Sequence, residues 1–248
     1  VDLEALRRDI FIRATPSQAS AYEGEQVYLT YKLYSKLDIE SVSLKHNPGF
    51  PGFYIRDIFN ATRLEYRKES VEDRMYTTSL LKKVALFPLS AGRYAPRPLV
   101  LETTVVLRST DLFERLGYPY TFTLESEPVE IEVRPLPSSS GPFSGVAGTL
   151  SAELLVPDSD VQTGESVVCY LTLKSTGNLS VITEPGLKLS LQGRTYLSDT
   201  IHDVVESRQG VTFVKKLEYT IIPEERGRLT IDGPDFLYFD TALENYVL

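Results

Sequence analysis

Apolar and polar residues alternate one for one along much of this chain. Val27, Leu29, Tyr31 and Leu33 interleave with Tyr28, Thr30, Lys32 and Tyr34, the period of a strand with one buried and one half-exposed face. The same period predicts strands over 10–14, near Val42 and Leu44, and over 54–59, 62–66, 76–87, 94–106 and 129–133. It returns over 150–156, 167–173, 187–191, around Tyr196, and over 213–222, 229–231, 236–239 and 246–248. Helical spacing is confined to 1–9, where Leu3 and Leu6 share a face, and to 111–116, a turn capped by Asp111 and stopped by Gly117.

Between the two sets of strands lies 134–148, Arg-Pro-Leu-Pro-Ser-Ser-Ser-Gly-Pro-Phe-Ser-Gly-Val-Ala-Gly, whose proline, serine and glycine interrupt regular ladders. Either side of it the sequence repeats itself. Gly24-Glu25-Gln26-Val27-Tyr28-Leu29-Thr30 is answered 140 residues later by Gly164-Glu165-Ser166-Val167-Val168-Cys169-Tyr170, and Pro88 with Gly92-Arg93 is answered 135 residues later by Pro223 with Gly227-Arg228. Many short strands between Gly and Pro turns, present twice, predict an all-β protein of two tandem immunoglobulin-like β-sandwich domains. The boundaries read as a sandwich over 1–134, a Pro/Ser/Gly linker over 135–148 and a second sandwich over 149–248.

Composition agrees with strands: 15 tyrosines and 11 phenylalanines, no tryptophan, one cysteine and one methionine in 248 residues. Half of that length is enough for each domain to own a core. Charge changes the picture more. The net charge is −8, and residues 1–134 hold 18 Lys and Arg against 19 Asp and Glu, so nearly all of the excess acid falls after the joint. Such a surface repels phosphate backbones and anionic head groups, so nucleic acid is not an expected partner and a basic or cation-bearing protein is. No apolar run of membrane-spanning length is present, so the fragment is expected to be soluble.

Chemistry is sparse. There is no G-x-S-x-G elbow, no phosphate-binding glycine loop and no histidine-rich constellation, since His46 and His202 are the only histidines. The sequence therefore predicts no enzyme, no cofactor and no resident metal. Cys169, on an alternating strand, reads as a small buried apolar group. Asp232, Asp235 and Asp240 flank Gly233-Pro234 but lack a calcium-loop pattern and read as solvated surface. Asn60-Ala61-Thr62 and Asn178-Leu179-Ser180 are formal glycosylation acceptors, too short a pattern to carry weight. Phe50-Pro51-Gly52-Phe53-Tyr54 is the aromatic loop with most to offer a partner, through Phe53 and Tyr54, unless its rings plug the end of their own sandwich.

Five strings in order carry a family resemblance. Residues 24–34, Phe50-Pro51-Gly52-Phe53, Val133-Arg134-Pro135-Leu136-Pro137 running into Phe143-Ser144-Gly145-Val146-Ala147-Gly148, Gly177-Asn178-Leu179, and Tyr238-Phe239-Asp240 with Tyr246 together resemble the BatD family of bacterial oxygen-tolerance (aerotolerance) proteins. Gly-Val-Ala-Gly at 145–148 stands where the family pattern has Gly-Ala-Val-Gly. The resemblance implies immunoglobulin-like domains on the periplasmic face of the bacterial inner membrane, anchored by a segment outside this fragment. It also implies partners encoded alongside: von Willebrand A-domain proteins and a MoxR-type AAA ATPase system.

The expected function is thus a non-enzymatic protein-binding scaffold in oxygen and envelope stress tolerance. A-domains hold Mg²⁺ through a ligand set that a partner's carboxylate completes, and Asp158, Asp160, Glu224 and Glu225, on turns of the acidic module, are the candidates to supply it. The alternative expectation is a ligand-binding module for glycans or unfolded envelope proteins, gripping through Phe53 and Tyr54. A cryptic hydrolase is the third.

Overall fold

The computed structural model describes residues 3–107, 117–158, 160–207 and 210–248. Strands take 60% of the chain and helices 3%, which makes the protein all-β. It divides into two compact units, Val1–Ala21 with Val27–Arg134, and Tyr22–Gln26 with Pro135–Leu248. The turn predicted at 111–116 lies outside the described residues.

Unit 1 opens on α1 (Leu3–Asp9) and runs through β1 (Ile10–Pro16), β2 (Ser20–Tyr22), β3 (Val27–Ser35), β4 (Asp38–His46), β5 (Phe53–Asn60), β6 (Arg67–Val71), β7 (Arg74–Pro88), β8 (Gly92–Tyr94), β9 (Val100–Leu107), β10 (Tyr118–Glu125) and β11 (Ile131–Arg134). One sheet has the order β1-β3-β7-β5, with β6 also paired to β7, and the facing sheet has the order β10-β9-β4. The alternation seen in sequence now has a location. Ile10, Ile12, Leu29, Tyr31, Leu33, Val84 and Leu86 from the first sheet meet Leu101, Val105 and Leu124 from the second in one buried cluster. Each such side chain removed from water contributes about 1.5–3 kcal/mol, so this layer is what holds the sandwich closed.

Unit 2 adds β12 (Phe143–Ala147), β13 (Leu150–Leu155), β14 (Val167–Ser175), a 3-10 turn η1 (Leu179–Val181), β15 (Lys188–Leu189), β16 (Gly193–Ser207), β17 (Gly210–Pro223), β18 (Ile231–Asp232), β19 (Leu237–Asp240) and β20 (Asn245–Val247). Its main sheet has the order β13-β14-β17-β16, beside a small sheet β12-β19-β20 and the pair β15-β18. Val167, Cys169, Leu171 and Leu173 on β14, with Phe213, Leu217, Tyr219 and Ile221 on β17, form its buried face.

Several local expectations change. Residues 143–147, read as part of the joint, form β12, which pairs in parallel with β19. Gly145 makes this possible by taking φ +85°, a conformation that costs a side-chain-bearing residue about 1–2 kcal/mol. The single strand expected over 94–106 is instead β8 and β9, because Pro96 and Pro98 lack the N–H a ladder needs. Strand β10, unremarked in the sequence because Pro119 interrupts its run of Tyr, Thr and Phe, pairs with β9 along its whole length. Residues 62–66 are loop, with pairing resuming at Arg67.

Tyr22–Gln26 belongs to unit 2 although it precedes most of unit 1 in sequence. The Tyr22 ring meets Phe239 edge-on at 4.9 Å within a buried cluster with Ala147. Gln26 Nε2 donates to the carbonyls of Thr176 at 2.8 Å and Val211 at 3.3 Å.

Candidate interaction surface

The sequence-predicted residues separate into two groups. Phe53 and Tyr54 begin β5, and Phe53 is a core residue whose ring lies edge-on to Tyr94 at 5.0 Å. Gly52, at φ +84°, turns the chain so that this ring enters the sandwich. A glycine is required there, since a Cβ would fall 2.3 Å from the Tyr94 ring. The expectation that Phe53 grips a partner is therefore corrected: the ring plugs its own domain. Tyr54, on the opposite face, is half-buried against Phe87 at 6.0 Å.

Further rings of unit 1 are covered by cations, while Phe59, Tyr66 and Tyr118 stay exposed. Phe11 stacks on Tyr34 at 5.0 Å, and the Arg13 guanidinium lies over both rings, 5.2 and 5.5 Å from their centres. Lys36 sits 4.9 Å over Tyr76. Rings already occupied by cations are poor stacking platforms for a sugar.

The segments that carry the four carboxylates of unit 2 lie at the same end of its main sheet. Asp158 and Asp160 stand exposed on the loop from β13 to β14, while Glu224 and Glu225 are exposed just past β17. The two segments are joined where Gly164 N–H donates to the Pro223 carbonyl at 2.9 Å. Glu224 is held by Arg194 at 2.8 Å, and Glu225 Oε2 accepts from the Gln192 N–H at 3.5 Å. Among the described residues no three His, Cys, Asp or Glu side chains gather as a resident metal would need.

What sequence reasoning did not find is the surface beside these acids. On the outward face of the main sheet, Val168 is level with Thr220 and Tyr196, and Leu155 is level with Tyr170. With Val156 and Val161 on the adjoining loop, the large apolar side chains at this end are 36–62% exposed. Farther along the same face Ile201 and Val205 are exposed too. The signal was in the sequence: β14 and β16 carry apolar residues on both of their alternating faces. The core consumes only one.

Tyr170 anchors the middle of this face. Lys216 Nζ lies 4.1 Å over its ring, and the neighbouring Glu218 carboxylate raises its phenol pKa above the ordinary value.

The remaining candidates have structural duties. Cys169 is fully buried, and burial raises its thiol pKa, which suppresses the nucleophilic thiolate. Asp235 pairs with Lys188 at 2.8 Å, and that hydrogen bond, reinforced by the charges of Asp235 and Asp232, raises the lysine's pKa. Asp240 Oδ1 accepts from the N–H groups of Ala242 at 2.9 Å and Leu243 at 3.0 Å. Asn178 caps η1 through the Ser180 N–H. His46 and His202 are exposed.

No protein-family model and no curated protein sequence matches this chain. Among solved structures, a type II cohesin dyad from the adaptor ScaA scaffoldin of Acetivibrio cellulolyticus is similar over 90% of this chain and 88% of that one, at 11% identity and a TM-score of 0.25. A superposition this loose transfers neither partner nor activity. What the strands and their pairing establish is an all-β architecture of two compact units, each built from several sheets.

Proposed function

We propose that this protein is a non-enzymatic interaction scaffold of the BatD type, working at the periplasmic face of the bacterial inner membrane, and that unit 2 binds a von Willebrand A-domain protein. The observation that carries the reading is the exposed apolar end of the unit 2 sheet, with Leu155, Val168 and Tyr196 beside Asp158 and Asp160. Apolar area bordered by charge is the usual anatomy of a protein interface. The setting comes from the five ordered strings that resemble the family. No helix among the described residues is long and apolar enough to cross a membrane, so the proposed anchoring is by a segment outside this sequence.

Within this reading Asp158 and Asp160 are the carboxylates best suited to complete a partner's Mg²⁺, since Glu224 is engaged by Arg194. A bridging carboxylate must leave water and reach the ion without first breaking an ion pair. The MoxR-type ATPase is placed one step away, acting through the A-domain protein.

The test is capture of the A-domain protein by the full chain, with and without Mg²⁺, using Leu155→Glu with Val168→Glu and, separately, Asp158→Ala with Asp160→Ala. Loss of capture in the first variant and loss of its Mg²⁺ dependence in the second are the expected results. Capture unchanged in both contradicts the proposal.

A further inference from the structure

The two long edges of the unit 1 sandwich are closed differently. On one side β1 is stitched to the segment after β10: Ile12 bridges to Ser126 in parallel, and Glu127 N–H donates to the Ile12 carbonyl at 2.9 Å. On the other side β4 and β5 are the terminal strands of separate sheets, and among the described residues no backbone ladder joins them. A cavity of about 260 Å³ opens there. Its floor is the core itself, Leu81, Leu99 and Leu101, with Val42 and Leu64 as walls.

The polar residues that line it are Asn47, Asn60, Thr62, Arg63 and Lys82. No carboxylate is in the lining, and Asp57, which pairs with Lys82, is the acid nearest to it in the hydrogen-bond network. Lys82 faces inward by alternation with Val84 and Leu86, level with Tyr31, and a bulge in β7 adjoins it: Tyr31 pairs with Lys82 while Lys32 pairs with Leu80, which leaves Leu81 as the extra residue. Its ammonium donates to Asp57 Oδ1 and Asn60 Oδ1, each at 2.6 Å. An ammonium has three donors, so one remains for a ligand. Accepting from Lys82 through Oδ1 also leaves the Asn60 amide N–H groups to donate. Arg63 adds an exposed guanidinium.

We infer that unit 1 binds a small amphipathic anion in this cavity: a short aliphatic chain seated on Leu81, Leu99 and Leu101, with a carboxylate or phosphate-like head held by Arg63, Lys82 and Asn60. Volume sets the size, because the cavity lies just below the range of about 300–1,000 Å³ that suits drug-sized ligands. An added peptide strand is disfavoured, since β4 has register shifts between Ile39 and Ser41 and between Leu44 and His46 that break the row of edge groups such a strand would use.

The test is titration of the intact chain with straight-chain carboxylates from butanoate to decanoate, followed by calorimetry and NMR. Each methylene seated on the floor is expected to lower Kd about fourfold, until the cavity is full and the series levels off. Arg63→Glu is expected to weaken octanoate about tenfold while sparing octanol, and Val42→Phe, which fills the cavity, to weaken both. Co-sedimentation with anionic phosphatidylglycerol vesicles that Val42→Phe abolishes identifies a membrane lipid as the source of the chain; octanoate binding without co-sedimentation identifies a free ligand. Octylamine binding as tightly as octanoate, affinity independent of chain length, binding indifferent to both substitutions, or stronger binding of an acidic extended peptide overturns the inference.

Discussion

Glu165 accepts a hydrogen bond from the Gln162 N–H at 2.9 Å, and Glu25 does the same for the Tyr22 N–H at 2.7 Å, 140 residues earlier. In both turns the intervening glycine has positive φ, +92° at Gly164 and +74° at Gly24. The repeated Gly-Glu is therefore a repeated turn, with a carboxylate satisfying a backbone donor that the next strand leaves unpaired. Glu165→Ala is expected to cost about 1 kcal/mol and Gly164→Ala about 1–2 kcal/mol, read as a lower urea midpoint. An unchanged midpoint in both would remove the turn from the account of the repeat.

That repeat, and the period-2 runs around it, are what made the sandwiches legible. Residues 27–34 and 167–173 state their inward faces outright, because burial of one face leaves a strand no other reading. The joint was less legible. Phe143 to Ala147 looks like linker by composition, and only pairing with a strand about 90 residues away makes it β12. Tyr22, in the same way, gives no sign in sequence that it meets Phe239 edge-on. The candidate surface was half visible: its acids announced themselves by charge, but Leu155, Val168 and Tyr196 become neighbours only through cross-strand register.

Phe53 tests the corrected aromatic loop. Phe53→Ala is expected to destabilise unit 1 by about 3–5 kcal/mol by leaving a cavity beneath Tyr94, whereas Tyr54→Ala, at a half-exposed position, is expected to cost far less. Thermal unfolding distinguishes them. Equal effects would mean that Phe53 is not the plug.

Lys215 gives a pH signature. It is buried in unit 2, donates to the Ile182 carbonyl, and burial lowers its pKa. Because the folded form then releases its proton before the unfolded chain does, near about 10.4, stability rises with pH between those two values. Lys215→Met is expected to remove this rise and to be at least as stable as the parent at neutral pH.

Tyr219 acts in the opposite sense. Burial, aided by the Glu184 charge, pushes its phenol up to about 12, and the hydroxyl donates to the Pro185 carbonyl at 2.5 Å. The unfolded chain ionises first, near about 10, so this contribution is intact below that pH and is lost as pH rises toward 12. Urea unfolding from pH 8 to 11.5 in Lys215→Met, Tyr219→Phe and the parent separates the two slopes; identical slopes in all three would contradict both assignments.

The carboxylates of unit 2 are expected to differ in role. Glu224→Ala gives up an exposed ion pair with Arg194, worth about 0–1 kcal/mol, and is expected to leave partner capture unchanged. Asp158→Ala with Asp160→Ala is expected to abolish the Mg²⁺ dependence of capture with no change in unfolding midpoint. The reverse pattern would move the bridge to the β17 end.

Cross-linking with mass spectrometry on the full-length protein in its native cells addresses the scaffold reading most directly. The expected result is a set of links from an A-domain protein to unit 2 around Lys216 and Lys174, on the face that carries Val168 and Tyr196. Links that fall on unit 1 alone, or the absence of any A-domain protein among the linked partners, would contradict it.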